Sequence, residues 1–308
     1  MIIPNISFFD GFLLLGFSKQ PLLEVALFAI VLVFYLLTLL GNAAIIVLAR
    51  LDPRLHTPMY LFLTHLSLMD LCYTTSTAPQ LLAHLYSPEK TITYGGCVVQ
   101  LYVALAMGST ECLLLAVMAV DRYVAVCRPL HYTVLLGPRT CWKLVATTWL
   151  TGLASSLVQT VLTIRVPLCG RNVIDHVFCE VPVLLKLACV DTTFNRTELL
   201  LVSTFFLLAP LTLILSSYGC IAQAVWKTRS VQGRQKALST CSSHLAVVFL
   251  FYGTAAASYL QPSSATSQDR DKVMALLYGI VTPTLNPFIY TLRNKDMKGA
   301  LRKMMGTL

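Results

Sequence analysis

Long apolar runs alternate with short charged links along the whole chain, and each run is long enough to cross a bilayer as a helix. Val25 to Ala49 carries no charge and predicts a first span. Pro58 to Tyr86 predicts a second, interrupted by His65, Asp70 and His84. The third runs from Cys97 to Arg122, roughly 38 Å at about 1.5 Å per residue. It holds one charge, Glu111, before the Asp121-Arg122 pair, and Pro129 stops it. Leu144 to Ile164, Leu199 to Trp226, Ala237 to Leu260 and Val273 to Leu292 predict four more. An odd count of spans puts the two termini on opposite sides of the membrane. The expected fold class is an all-α membrane protein, a seven-transmembrane helix bundle forming one domain over residues 1–308. Residues 1–21 are expected as an extracellular amino terminus, 22–292 as the bundle and 293–308 as a cytoplasmic tail.

In that tail Met297, Leu301, Met304 and Met305 recur at helical spacing opposite Lys295, Lys298, Arg302 and Lys303. This pattern predicts a short amphipathic helix lying on the membrane face. Residues 1–20 lack a basic start, an unbroken apolar core and a small-residue cleavage site, so the first span is expected to act as its own insertion signal.

Composition agrees with the runs. Of 308 residues, 56% are hydrophobic and 12% charged, about half the charge of a soluble domain. The net charge of +9 would suggest nucleic acid in a soluble protein, but its placement gives it another meaning. With the amino terminus outside, the inner side carries 15 of the 23 Lys and Arg and only three acids. The positive-inside rule therefore sets the orientation and a plasma-membrane location is expected, with lipid and not nucleic acid as the partner of the basic links. Asn5 in Asn5-Ile-Ser and Asn195 in Asn195-Arg-Thr then face the compartment where glycosylation occurs. Cys97, Cys169, Cys179 and Cys189 lie on the oxidising outer side, and four cysteines allow three pairings that spacing does not separate.

Two carboxylates fall inside the membrane. Asp70 lies roughly 20 Å above the inner end of its helix and Glu111 roughly 16 Å above Arg122, hence at one depth. Each costs at least ~2.5 kcal/mol to insert unless paired or facing a polar cavity, which favours a shared cation or proton site over one buried, protonated acid. Outward from Glu111, on one helix face, come Gly108, Ala104 and Leu101, with Leu105 and Ser109 alongside. Tyr252, Ala255, Ala256 and Tyr259 occupy the outer half of the sixth span, Tyr278 that of the seventh, and Phe206 faces inward from the fifth. No carboxylate lies above Glu111 to hold an amine. An uncharged cavity with a few hydroxyls suits a small, volatile, mostly apolar ligand, although small residues at half of these positions also serve plain helix packing.

At the inner ends, Asp121-Arg122-Tyr123 alone would be an interface anchor. Asn286-Pro287-x-x-Tyr290 is sharper, because proline frees a backbone carbonyl within the helix and permits a kink. Competing classes fail on residues: a retinal protein needs a lysine in the seventh span, a transporter usually shows an internal repeat, and no nucleophile–base pair suggests an enzyme.

The chain resembles the olfactory receptors, of the tetrapod-type class, among the rhodopsin-like G-protein-coupled receptors. The resemblance rests on Leu40-Gly-Asn42, Pro58-Met-Tyr-Leu-Phe-Leu63, Leu66-Ser-Leu-Met-Asp-Leu-Cys-Tyr73, Met118-Ala-Val-Asp-Arg-Tyr-Val-Ala-Val-Cys127, Pro129-Leu-His-Tyr132, Ser217-Tyr218, Lys236-Ala-Leu-Ser-Thr-Cys-Ser-Ser-His244 and Pro283-Thr-Leu-Asn-Pro-Phe-Ile-Tyr290. Leu61, His65, Val120 and Leu238 depart from the family pattern. The resemblance implies disulfides Cys97–Cys179 and Cys169–Cys189, and a sodium ion at Asp70 and Glu111 as the one bound cofactor. It implies a G-protein coupling and activation set at Asp121, Arg122, Tyr123, Tyr218, His244, Asn286, Pro287 and Tyr290. The function implied is odorant reception: a small ligand in the outer half of the bundle activates a heterotrimeric stimulatory G protein and raises cyclic AMP. A chemosensor of the same family working outside the nose is the alternative.

Overall fold

The computed structural model describes residues 11–17, 21–169, 172–227, 230–259, 268–293 and 295–306; at 21, 233, 236, 239, 240, 256–259, 268, 292, 293, 295 and 304–306 it describes the backbone only. Each of the seven apolar runs is helical: α1 is Pro21–Leu51, α2 Pro58–Tyr86, α3 Tyr94–Cys127, α4 Pro138–Ile164, α5 Thr193–Lys227 and α6 Val231–Tyr259. The seventh, α7, is α-helical over Gln268–Leu276, π-helical over Leu277–Val281 and α-helical again over Thr282–Arg293. The amphipathic tail is α8, Lys295–Gly306.

The helices outrun the apolar segments that predict them, because backbone hydrogen bonding continues past the membrane boundary until a stop residue intervenes. α3 starts where the Thr93 hydroxyl accepts from the Gly96 N–H at 3.1 Å, and Pro129 follows its end. α2 and α4 both open on proline, whose missing N–H costs nothing in the first turn. Among the described residues five helices are long and apolar enough to cross a membrane by composition alone. α2 is not one of them: Asp70, Thr74, Thr77 and His84 dilute it, and all four are buried against neighbouring helices. In α6 the apolar stretch is confined to Cys241–Ala255.

α3 is the central pillar and packs on α2, α4, α5 and α6, while α1 packs on α2 and α7. Lipid gives no hydrophobic drive between helices, so close approach by small residues holds the bundle. At the α3–α4 crossing, a Cβ on Gly152 would lie 2.1 Å from Thr110 Oγ1 and 3.1 Å from the Ala106 carbonyl oxygen. Only glycine fits there, and Ser156 Oγ extends the contact by donating to the Tyr102 carbonyl at 2.7 Å. The core gathers Phe62, Leu63, Leu66 and Met69 of α2 against Leu114, Leu115 and Met118 of α3. Leu40, Phe205, Leu215 and Phe249 stand on the perimeter, the pattern of a lipid-facing wall.

One end of the bundle carries both disulfides, Cys97–Cys179 and Cys169–Cys189, the pairing the resemblance implied. At that end the amino-terminal segment is not a plain tail. Gly11–Leu14 forms β1, which pairs antiparallel with β2 (Thr91–Thr93) and parallel with β3 (Val173–Ile174). Lys272 fastens the assembly: its Nζ donates to the Gly16 carbonyl at 2.7 Å and lies 2.5 Å from Asp175 Oδ1. At the opposite, basic end, α8 departs from a simple surface helix. Met297 and Ala300 are buried against α1 and the turn Pro53–Leu55, while Lys298, Arg302 and Lys303 remain exposed. The side chains of Met304 and Met305 lie outside the described residues. In the same turn Asp52 chelates the Arg54 guanidinium, which holds its carboxyl down to about 2.

Candidate ligand cavity and coupling surface

A chamber of about 160 Å³ lies in the disulfide half of the bundle. Leu101, Ala104, Leu105, Gly108 and Glu111 of α3 form one wall, Phe251, Thr254 and Ala255 of α6 another, and Tyr278 and Thr282 of α7 a third. Gly108 has open space where a Cβ would stand, so the missing side chain becomes cavity volume. The π turn carries Tyr278 into the chamber, as such single-turn insertions re-aim side chains at functional sites. The roof comes from the loop between α4 and α5. Cys179, Glu180, Val181 and Pro182 of the long loop close it, held down by the bridge to Cys97 and by the Cys179 N–H donating to Gln100 Oε1 at 2.8 Å.

The expected ligand residues divide. Leu101, Ala104, Leu105, Gly108, Ala255 and Tyr278 border the chamber. Ser109 and Phe206 border a neighbouring, more open side cavity of about 560 Å³ between α3, α4, α5 and α6. Tyr252 borders neither: it is buried, with its hydroxyl donating to the Cys112 carbonyl at 3.4 Å, and Phe251, one residue earlier, faces both spaces. The side chains of Ala256 and Tyr259 lie outside the described residues, as does Asn5. Asn195 sits in the first turn of α5 with its Nδ2 donating to the Leu162 carbonyl at 3.1 Å, so the atom that would carry a glycan is already engaged.

The expectation that no carboxylate stands above Glu111 is corrected. It holds for α3 itself, but Glu180 enters from the loop, and the Tyr278 hydroxyl donates to its Oε1.

The floor holds the two intramembrane acids together. Asp70 and Glu111 both border the chamber. Asn286 Nδ2 donates to both Asp70 oxygens, at 3.3 and 3.1 Å, while Glu111 Oε1 and Asn286 Oδ1 are buried with no hydrogen-bond partner among the described residues. Beside them Pro287 lacks the N–H that would satisfy the Pro283 carbonyl one turn back. Asn42 of α1 supplies the missing donor, its Nδ2 lying 3.3 Å from that oxygen. Its neighbour Gly41 lets the proline ring approach, since a Cβ there would lie 2.8 Å from Pro287 Cγ. Gly41-Asn42 thus docks the kink of α7 onto α1.

Toward the basic end lies a second cluster. Arg122 Nη2 is 3.2 Å from Asp121 Oδ2, both residues are buried, and Tyr132 donates its hydroxyl to Asp121 Oδ1 at 2.7 Å. Burial, with the Asp121 carboxylate beside it, pushes the Tyr132 phenol upward. His244 Nε2 lies 3.0 Å from the Leu115 carbonyl, which only accepts, so the neutral ring carries its proton there. Its Nδ1 then accepts from the Tyr218 hydroxyl at 2.8 Å. The Tyr290 hydroxyl is buried nearby with no partner among the described residues. Tyr123 packs at the edge of the core. The floor and this cluster share helices: Glu111 and Arg122 are both on α3, Asn286 and Tyr290 both on α7.

The olfactory receptor family model matches residues 31–307. Olfactory receptor 2G3 of Homo sapiens is 60% identical over 301 residues, covering 98% of this chain and 97% of that protein. Olfactory receptor 2G6 of Homo sapiens is also 60% identical, with 98% and 95% covered. Olfactory receptor 2C1 of Mus musculus is 56% identical over 296 residues, with 96% and 95% covered.

Proposed function

The chain belongs to the olfactory receptor family, and we propose that it binds a small, mostly apolar odorant in the chamber beneath Glu180 and signals through a stimulatory G protein at the basic end. It is a multi-pass membrane protein and an odorant receptor, not an enzyme. The observation that carries the site is the chamber of about 160 Å³ roofed by the long loop. An engineered apolar cavity of about 150 Å³ takes up benzene, which sets the ligand at a single ring or a short chain. Partner and location follow from the charge asymmetry: the basic end faces cytoplasm and anionic lipid, and the disulfide end with the amino terminus faces outward at the plasma membrane. A panel of volatile compounds of that size, applied to cells reporting cyclic AMP, tests the reading. At least one should raise cyclic AMP above vector-only cells, and complete silence at verified surface expression would overturn it.

The floor fits a sodium ion. Asp70, Glu111 Oε1 and Asn286 Oδ1 are hard oxygen donors around one buried spot, two of them with no hydrogen-bond partner among the described residues, and hard cations take such ligands. A cation there would offset the mutual repulsion of two buried carboxylates, and would favour whichever helix arrangement keeps them apart by that much space. If activation collapses the space, the ion prefers the inactive state. A tenfold preference corresponds to ~1.4 kcal/mol. Exchanging external sodium for a large organic cation should then raise basal cyclic AMP in the wild type, by up to about tenfold. Glu111→Gln keeps a hydrogen-bonding amide in place and should show no such rise at matched surface level. Equal responses of the two to the exchange would remove the ion and leave a protonated structural acid.

A further inference from the structure

The side cavity between α3, α4, α5 and α6 measures about 560 Å³, within the roughly 300–1,000 Å³ usual for ligand pockets. Its walls are mostly apolar, through Leu185, Leu199, Phe206 and Leu207, but one residue is there that packing does not explain. Gln159 of α4 borders the cavity at 6% exposure, roughly 8 Å short of the end of the helix at Ile164, and so lies within the membrane. Its backbone carbonyl accepts from the Thr163 hydroxyl at 2.8 Å, but its side-chain amide makes no hydrogen bond among the described residues. A buried amide in that condition has lost its water without a replacement.

Ser109 of α3 and Ser203 of α5 border the same space. A hydroxyl on a helix can turn back onto the carbonyl one turn earlier, as Thr110 and Thr212 do at 2.7 Å. Ser109 and Ser203 make no such bond, nor any other side-chain hydrogen bond among the described residues. Three helices thus each present one polar group to one cavity. The amide offers two N–H donors and an accepting oxygen, and each hydroxyl both donates and accepts. A ketone or aldehyde oxygen can take those donors, and an alcohol can accept one bond and return another. A hydrocarbon leaves the amide as it is. The charged residues on the described lining are Lys186 and Arg196, with no aspartate or glutamate beside them, which disfavours a cation.

We propose that Gln159, with Ser109 and Ser203, forms an oxygen-recognition site in the side cavity, so that the preferred ligands of this receptor are neutral alcohols and carbonyl compounds. The cavity and the chamber share Gly108, Leu199 and Phe251 as walls, so a ligand whose apolar body lies in the chamber can reach the site with its oxygen. This rests on the odorant-receptor reading and narrows its ligand class.

The test uses the full-length receptor and probes of one shape and about seven heavy atoms: cyclohexanone, cyclohexanol, cyclohexylamine and methylcyclohexane. In cells reporting cyclic AMP, the ketone and the alcohol should reach half-maximal response at roughly tenfold or more lower concentration than the hydrocarbon and the amine. Gln159→Met keeps the length of the side chain and removes its hydrogen bonds. At matched surface level it should raise the ketone and alcohol values roughly 10- to 100-fold and leave the hydrocarbon within about threefold. If Gln159→Met does not reach the surface, Ser203→Ala makes the same comparison, with an expected shift of about three- to tenfold. Equal ranking of ketone and hydrocarbon in the wild type, or an equal shift of all probes by the variant, would overturn the site. Binding is read separately as the shift in Tm of purified receptor. An oxygen-dependent shift that Gln159→Met abolishes, with cyclic AMP silent, upholds the site and sinks the coupling. No oxygen-dependent shift in the wild type overturns the site whatever the wider panel does.

Discussion

Cells expressing Cys179→Ser should show almost no receptor at the surface, less than about a tenth of wild type, while total protein remains detectable. The bridge from Cys97 closes a separation of 82 residues, and both cysteines are essentially inaccessible. Cys179 is where the long loop meets the bundle. Before it, Val177 and Phe178 pack on Ala275 and Ile280 of α7; after it, Val181, Leu184 and Leu185 pack with Leu101 of α3 and with Phe12 and Leu14 of β1. The Gly279 backbone sits so close to the loop that an added Cβ would lie 3.1 Å from Phe178 Cε2. Freeing Cys179 therefore loosens two apolar clusters and the roof of the chamber together. Loss of a native disulfide typically costs about 2–5 kcal/mol against a total stability of about 5–15. Cys169→Ser is the internal control, because that bridge spans only 20 residues between exposed cysteines and should leave a substantial fraction at the surface. Surface antibody staining on intact cells, normalised to permeabilised cells, makes the measurement. Wild-type surface staining of Cys179→Ser would show that the loop is held by packing alone.

The bundle was legible because its spans are one-dimensional facts: an apolar run long enough for a bilayer is a helix whatever its neighbours are. The pairing of Asp70 with Glu111 was legible for a related reason, since rise per residue converts sequence position into depth. Register around a helix is harder to read. Each residue turns the chain by about 100°, so of the expected α6 residues Ala255 borders the chamber while Tyr252 turns away and its neighbour Phe251 faces in. The π turn at Leu277–Val281 breaks that periodicity again, and nothing in Leu277-Tyr-Gly-Ile-Val281 announces it. Loops have no period at all. Glu180 is therefore absent from the expected cavity, and Gly11–Leu14, expected only as part of the extracellular terminus, supplies the central strand of a sheet. The donor that Asn42 gives to the carbonyl freed by Pro287 joins residues on the first and last spans. Proline showed that a donor was needed, but not from where.

The coupling end yields the second large effect. Arg122→Ala should abolish the agonist-evoked cyclic AMP rise, to below about a tenth of wild type, with surface delivery reduced far less. In the structure Arg122 is turned back onto Asp121, and Asp121 is held in turn by the Tyr132 hydroxyl. Such a pair is satisfied and closed, so it offers no cation to a partner. Around it stand groups able to accept a different arrangement: the buried Tyr290 hydroxyl has no hydrogen-bond partner among the described residues, and the Tyr218 hydroxyl reaches the accepting nitrogen of His244 at 2.8 Å. Movement of α7 at the Asn286-Pro287 kink would carry Tyr290 toward this cluster and free Arg122 for the G protein. On that reading, removing the guanidinium deletes the group proposed to engage the G protein. Asp121 keeps its hydrogen bond from Tyr132 and can take up a proton, so the loss of its cation is partly relieved and folding should survive. Asp121→Asn should do the reverse, weakening the latch while sparing Arg122, and raise basal cyclic AMP. Stabilisation of the purified receptor by a panel odorant that raises cyclic AMP in the wild type should be retained in Arg122→Ala, which separates lost coupling from lost binding. An unchanged cyclic AMP response in Arg122→Ala at equal surface level would place G-protein engagement elsewhere on the basic end.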